Sequence, residues 1–271
     1  MTYNPYFCGK PKNKLTLSNY QLDLEFARQQ DQQDVLATYR QRFHIPKDSK
    51  GNELIYMTGN SLGLQPKSTK DYINQELEDW AKLGVEGHLE AKHPWLPYHE
   101  FLTKNMAKVV GAKPLEVVVM NTLTANLHLM MVSFYQPTQQ RYKILIEADA
   151  FPSDKYAVES QLRHHGFDAE EGLILWKARK GEELANYDDL EDILKEQGDD
   201  IALIMIGGVN YYTGQFFDLK RITRLGHKYG CMVGFDCAHG AGNVELNLHD
   251  SGADFAVWCT YKYLNSGPGS L

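Results

Sequence analysis

The chain has 271 residues, with 28 Lys and Arg against 35 Asp and Glu and a formal net charge of -7. Its hydrophobic content of 43% and charged content of 23% are those of an ordinary globular protein, which sets aside disordered and fibrous classes. No basic run is long enough to track a phosphate backbone, so nucleic acid is not an expected partner.

The four cysteines, Cys8, Cys231, Cys237 and Cys259, form no Cys-x-x-Cys pair. The last three lie in apolar, strand-like stretches that favour buried, reduced thiols, a pattern that suits a reducing cytosol. The polar start, Met1-Thr2-Tyr3-Asn4-Pro5, lacks the apolar core of a signal peptide. The longest strongly apolar run, 201–206, is far too short to cross a bilayer. A cytoplasmic protein is the expectation.

In chain order, 19–43 reads as one or two polar helices and 46–53 as a turn-rich break. Residues 53–57 suggest a short strand before the glycine-rich loop Thr58-Gly59-Asn60-Ser61-Leu62-Gly63-Leu64. Helical spacing resumes over 68–83, with Ser68 as N-cap. From 117 a regular alternation begins: strand 117–120, a helix opened by Asn121-Thr122, strand 143–146 and a helix over 154–165. Strand 174–176, helix 187–197 ending at Gly198, and strand 201–206 follow. Asp218 caps a helix that stops at Gly230, and strands 231–235 and 255–259 complete the series. Short apolar strands separated by amphipathic helices predict an α/β sheet covered on both faces. The domain division expected is a helical N-terminal segment over 1–55 and a large domain over 56–271.

Ligands of open α/β sheets gather beyond the carboxyl ends of the strands. There the sequence places Leu123 and Thr124 at a helix N-terminus suited to phosphate, then Phe151 and Asp154, then the run 207–214. Asp236, with His239 behind it, and Lys262, flanked by Tyr261 and Tyr263, follow the last two strands. Pyridoxal phosphate needs that inventory: an amine for its aldehyde, a carboxylate for its pyridine nitrogen, an aromatic ring against its face and donors for its phosphate.

The residues that carry this inventory, Phe235-Asp236-Cys237-Ala238-His239 and 258–269 (WCTYKYLNSGPG), resemble the cofactor segments of the kynureninase family. So do 56–64, 80–88, 120–131, 141–162, 209–215 and 242–259, so that the resemblance covers nearly the whole chain beyond the first fifty residues. It implies the three-layer α/β/α large domain of fold-type I pyridoxal-phosphate enzymes, with a mixed, mainly parallel sheet. It also implies hydrolysis of L-kynurenine or 3-hydroxykynurenine to the anthranilate and L-alanine, by a cytoplasmic homodimer of tryptophan catabolism and NAD biosynthesis. Position by position, Lys262 would bond the cofactor aldehyde, Asp236 would meet the pyridine nitrogen and Phe151 would stack on the ring. Asp154 and His239 would line the polar side, with Leu123, Thr124 and Tyr261 at the phosphate and Tyr261 also near the proton transfers. Ser61 and His88 would face the substrate. Gly207 stands near the cofactor where animal relatives carry serine.

The family continues past the position of Leu271 into a small domain that supplies a tryptophan, an asparagine and a carboxylate-binding arginine. On that basis the chain reads as truncated and inactive or nearly so. Two other readings remain. Gly59-Asn60-Ser61-Leu62-Gly63 satisfies G-x-S-x-G, with Asp236 and His239 in the chain order of an α/β-hydrolase. A non-catalytic dimerisation partner is the other. The histidines, among them His88, His93, His99, His164 and His165, show no metal-site spacing, and no metal is expected.

Overall fold

A computed structural model describes residues 20–269, so the expectations resting on Cys8, on the first five residues and on the end of the chain lie outside it. The chain divides into two units, Met1–His44 and Ile45–Leu271. In the first, helix α1 (Leu24–Gln33) is opened by Asp23, whose carboxylate accepts from the Phe26 N–H at 2.8 Å. A 3-10 turn over Ala37–Arg42 follows it.

The second unit begins with helices α2 (Thr69–Leu83), α3 (Gly87–Glu90) and α4 (Thr103–Val110). It continues as α5 (Leu123–Phe134), β1 (Lys143–Glu147), α6 (Pro152–His164), α7 (Ala169–Gly172) and β2 (Leu173–Trp176). Then come α8 (Tyr187–Gln197), β3 (Ile201–Gly207), α9 (Leu219–Lys228), β4 (Met232–Asp236), α10 (Leu248–Ser251) and β5 (Phe255–Val257). The cap expected at Asp218 forms, whereas Ser68, expected to cap α2, precedes that helix without a side-chain capping bond. Asn186 and Asp218 accept from backbone N–H groups at the starts of α8 and α9, and Pro152 occupies the first turn of α6.

The five strands pair in parallel in the order β2-β1-β3-β4-β5. Side chains alternate between two cores, except at the start of β3, where Ala202 and Leu203 share one. Leu145, Ile204, Ile206, Val233 and Phe235 face α4, α8 and α9, through Val110, Leu190 and Ile222 among others. Ile144, Ile146, Leu203, Met205, Phe255 and Val257 face α5 and α6, through Leu127, Met131, Val158 and Leu162. Most of these strand side chains are fully buried, so trimming one to alanine costs roughly 2–5 kcal/mol.

The chain leaves β1 through α6 to reach β2 on one side, then returns through α8 to β3 on the other. Right-handed crossovers in opposite directions put their helices on opposite faces. That is where α6 and α8 lie. The strand order therefore reverses between β1 and β3, whose carboxyl ends are Glu147 and Gly207.

Two expected strands differ. Over 53–57 only Glu53 pairs, through a single bridge to Lys47, because Asp48 closes a turn by accepting from the Lys50 and Asn52 amides. Residues 117–120 form no ladder, although Val117 packs into the core. A cavity of about 380 Å³, lined by this stretch on one side and by β5 on the other, lies where a strand partner would be needed.

Candidate functional site

At the carboxyl ends of β1, β3 and β4 lies a second cavity, of about 170 Å³. Its lining includes Leu123, Thr124, Phe151, Asp154, Gly207, Asp236, His239, Tyr261 and Lys262, and so unites the start of α5 with residues at or beyond the ends of β1, β3, β4 and β5. This is the position that the strand reversal defines for a ligand. Ser61 and His88 are not among the lining residues. Ser61 is exposed in a turn, and the His88 ring packs edge-on against Trp95 at 5.4 Å. The hydrolase reading gains nothing from this arrangement, because no helix follows Ser61 until Thr69.

Local chemistry places each group. Leu123 and Thr124 form the first turn of α5, whose N-cap Thr122 makes no side-chain capping bond, so backbone N–H groups point outward at the positive end of the dipole. Asp236 ends β4 and accepts from the Ala238 N–H at 2.7 Å, which tightens the turn that presents His239. The Lys262 loop is clamped from outside by the glycine-rich segment. The Gly63 N–H donates to the Tyr261 carbonyl at 2.8 Å, and the Asn265 amide donates to the Leu64 carbonyl at 2.9 Å. A Cβ at position 63 would lie 2.3 Å from the Lys262 carbonyl oxygen, so only glycine fits this approach.

Lys262 is buried, with its amine 3.0 Å from His239 Nε2 and 5.8 Å from the centre of the Phe151 ring. Burial, with the charge of Lys262 next, pushes His239 down to about 4, so the imidazole is neutral near pH 7 and accepts from the amine. Asp154 and Asp236 hydrogen-bond each other within the buried region. Burial raises both. Asp154, facing the negative charge of Asp236, is pushed up to about 9 and takes the proton. For Asp236, the bonds from Asp154 and Ala238 and the charge of Lys262 oppose the rise that burial causes. Asp154 Oδ1 is buried without a hydrogen-bond partner among the described residues, an open valence that a polar ligand in the cavity would satisfy. Tyr261 is pushed up to about 12, chiefly by burial, and stays a neutral donor.

Glu147 also lines the cavity, a residue the sequence reading passes over. Buried at the end of β1, it accepts from the Gly207 N–H at 3.0 and 3.2 Å. Its one sequence signal is a charged residue closing an apolar strand.

This parallel sheet, with a buried lysine opposite a carboxyl pair and a helix N-terminus, is the fold of aminotransferase-like pyridoxal-phosphate enzymes. The pattern of the aminotransferase class-V family matches residues 55–269, and the chain belongs to that family. It is 60% identical to kynureninase of Myxococcus xanthus over 246 residues, which are 91% of this chain and 58% of that protein. It is 48% identical to the kynureninase of Mus musculus, covering 92% of this chain and 56% of the mouse protein. The chain thus spans a little over half the length of these relatives. Among solved structures, the cystine C-S lyase C-DES, in complex with its product cysteine persulfide, superposes with a TM-score of 0.66 at 15% identity. That match covers 79% of this chain and 55% of the lyase. The cysteine desulfurase CsdA of Escherichia coli superposes with a TM-score of 0.64 at 18% identity, covering 83% and 54%. At these identities the structural matches speak for the fold alone.

Proposed function

We propose that this chain carries the cofactor-binding part of a kynureninase, a pyridoxal-phosphate-dependent hydrolase that splits L-kynurenine or 3-hydroxykynurenine into the anthranilate and L-alanine. The observation that carries the reading is the meeting of Lys262, the Asp154–Asp236 pair and the start of α5 on one cavity. The kynureninase relatives at 48–60% identity support the substrate class.

When bound, pyridoxal phosphate supplies an electrophilic carbonyl carbon and a ring that accepts an electron pair. Lys262 Nζ, which lines the cavity, would hold that carbon and would be the group to take or return a proton there. Neutral His239 accepts a hydrogen bond from Nζ and keeps it aimed into the cavity. Asp236, which lines the cavity and accepts from Ala238, would be the carboxylate partner of the ring nitrogen. Phe151 would cover the ring face, while the Leu123 and Thr124 amides, with Tyr261, would hold the phosphate.

We assign Ser61 and His88 to the substrate side of a site completed in a homodimer. Ile73, Leu77 and Trp80 on α2 and Leu89 and Leu96 beyond it are at least half exposed, an apolar surface that favours such pairing. The same reading puts the enzyme in the cytoplasm, in tryptophan catabolism and NAD biosynthesis.

The test is the absorbance spectrum of the chain with added pyridoxal phosphate, beside Lys262→Ala, followed by borohydride treatment and peptide mass analysis. The expected result is a yellow band, fixed by borohydride onto the peptide containing Lys262 and missing in the variant. A folded protein with no such band overturns the reading. Kynurenine turnover, assayed on this chain and on one extended with a kynureninase C-terminal part, then reports the reaction itself.

A further inference from the structure

Glu147 has no role in the function proposed above, yet it is among the few buried charged residues of the sheet. Its carboxylate spans the gap between β1 and β3 at the point where the strand order reverses. It accepts from the Gly207 N–H with both oxygens and bonds to the Asn210 side chain. Asn210 in turn donates to the Asp149 carbonyl at 3.0 Å and accepts from the Tyr212 and Thr213 amides at 2.9 Å. The carboxylate thus holds the end of β3 to the end of β1, and Asn210 continues the tie from the loop leaving β3 to the loop leaving β1. These two loops carry Gly207 and Tyr211 on one side of the cavity and Phe151 on the other. The Phe151 and Tyr211 rings meet edge-on at 5.2 Å.

Glu147 also acts through its charge. The titratable groups that face it are Asp236 at the end of β4 and Asp154 on α6; from β3 and its loop come only the Gly207 amide and the Asn210 side chain. A charge on Glu147 raises Asp154, and the charge on Asp236 raises Glu147.

We propose that Glu147 is a positioning residue of the cofactor pocket: it ties the ends of β1 and β3 together and sets its carboxylate beside the Asp154–Asp236 pair that lines the same cavity. The proposal rests on the cofactor reading for its second half and stands without it for the first. Burial holds Glu147 up to about 7, so its charge is exchangeable near neutrality.

Two measurements test it. On the full chain without cofactor, hydrogen exchange at the Gly207 amide is compared in Glu147→Ala and Glu147→Gln. Glutamine keeps an acceptor and alanine does not, so exchange should accelerate at least tenfold in Glu147→Ala and return most of the way in Glu147→Gln. Unchanged exchange in Glu147→Ala overturns the tie, whether or not the cofactor binds. On the chain loaded with pyridoxal phosphate, the pH midpoint of the cofactor band is followed. Removing a negative charge lowers every proton affinity nearby, so Glu147→Gln should move the midpoint down by roughly half a pH unit or more. A purely structural residue rescued by glutamine would leave the midpoint where it is, and that outcome overturns the electrostatic half. A wild-type chain with no Lys262-dependent band overturns the cofactor reading and this half with it, and leaves the exchange result to decide the tie.

Discussion

The Lys262 amine lies 3.0 Å from His239 Nε2, and the histidine is kept uncharged by the same burial that surrounds the lysine. Their contact is therefore a hydrogen bond to a neutral acceptor rather than a repulsion between two cations. His239→Ala removes that acceptor and should weaken retention of the cofactor roughly tenfold, the worth of one hydrogen bond to a charged group. Equilibrium dialysis against pyridoxal phosphate reads the loss, and His239→Asn should recover part of it. Equal affinity in all three proteins would mean the contact does nothing for binding.

The carboxyl pair makes an asymmetric prediction. Asp154→Asn keeps a neutral donor toward Asp236 and should cost little affinity. Asp236→Asn removes the charge that holds the ring nitrogen and should cost roughly a hundredfold. If Asp154→Asn proves the more damaging of the two in the same dialysis assay, the charge has been assigned to the wrong member.

Stability should fall as the solution becomes alkaline. Glu147 is raised from 4.5 to about 7 and Asp154 from 3.8 to about 9, so the folded chain binds these protons more tightly than the unfolded chain. The stabilisation is complete below about pH 4 and drains away as pH rises through 7 and then 9. For Glu147 alone the loss is on the order of 3 kcal/mol. His239, lowered from 6.5 to about 4, works oppositely, but its contribution is already complete above 6.5. Urea denaturation at constant ionic strength between pH 6.5 and 9 isolates the carboxyls. Glu147→Gln and Asp154→Asn should each flatten the decline, and a decline that survives both variants unaltered would place its origin elsewhere.

Gly63→Ala tests the clamp over the lysine loop. With the Lys262 carbonyl 2.3 Å from the new Cβ, the two segments must separate. A destabilisation of roughly 1–3 kcal/mol is expected, with slower attachment of cofactor at Lys262. Thermal denaturation and the growth of the yellow band measure the two effects, and wild-type behaviour in both would show that the clamp yields freely.

Much of this was legible in the residues. The strands over 143–147, 201–207 and 232–236 are apolar runs too short for helices, and Asp218, by its side chain, and Gly230, by its positive φ, mark the two ends of one helix. Nine of the site residues line one cavity: seven stand at or just beyond a strand end, while Leu123 and Thr124 open the helix after 117–120, and Ser61 and His88 lie outside the lining. Residues 117–120 mislead because an apolar run carries no record of whether a neighbour exists to pair with it. Glu147 is missed because ending its strand at 146 turns the next residue into an ordinary polar stop. Its significance comes from Gly207, sixty positions away, whose amide it holds.

The pocket draws on Leu123, Glu147, Gly207, Asp236 and Lys262, so it exists only when all three central strands and both flanking loops are in register. A ligand seated there selects the fully assembled sheet over every partly formed state, and its binding energy adds to the stability of the whole. Occupancy of this cavity is consequently a gauge of folding: damage far from it, in the strand pairing itself, should register first as lost colour.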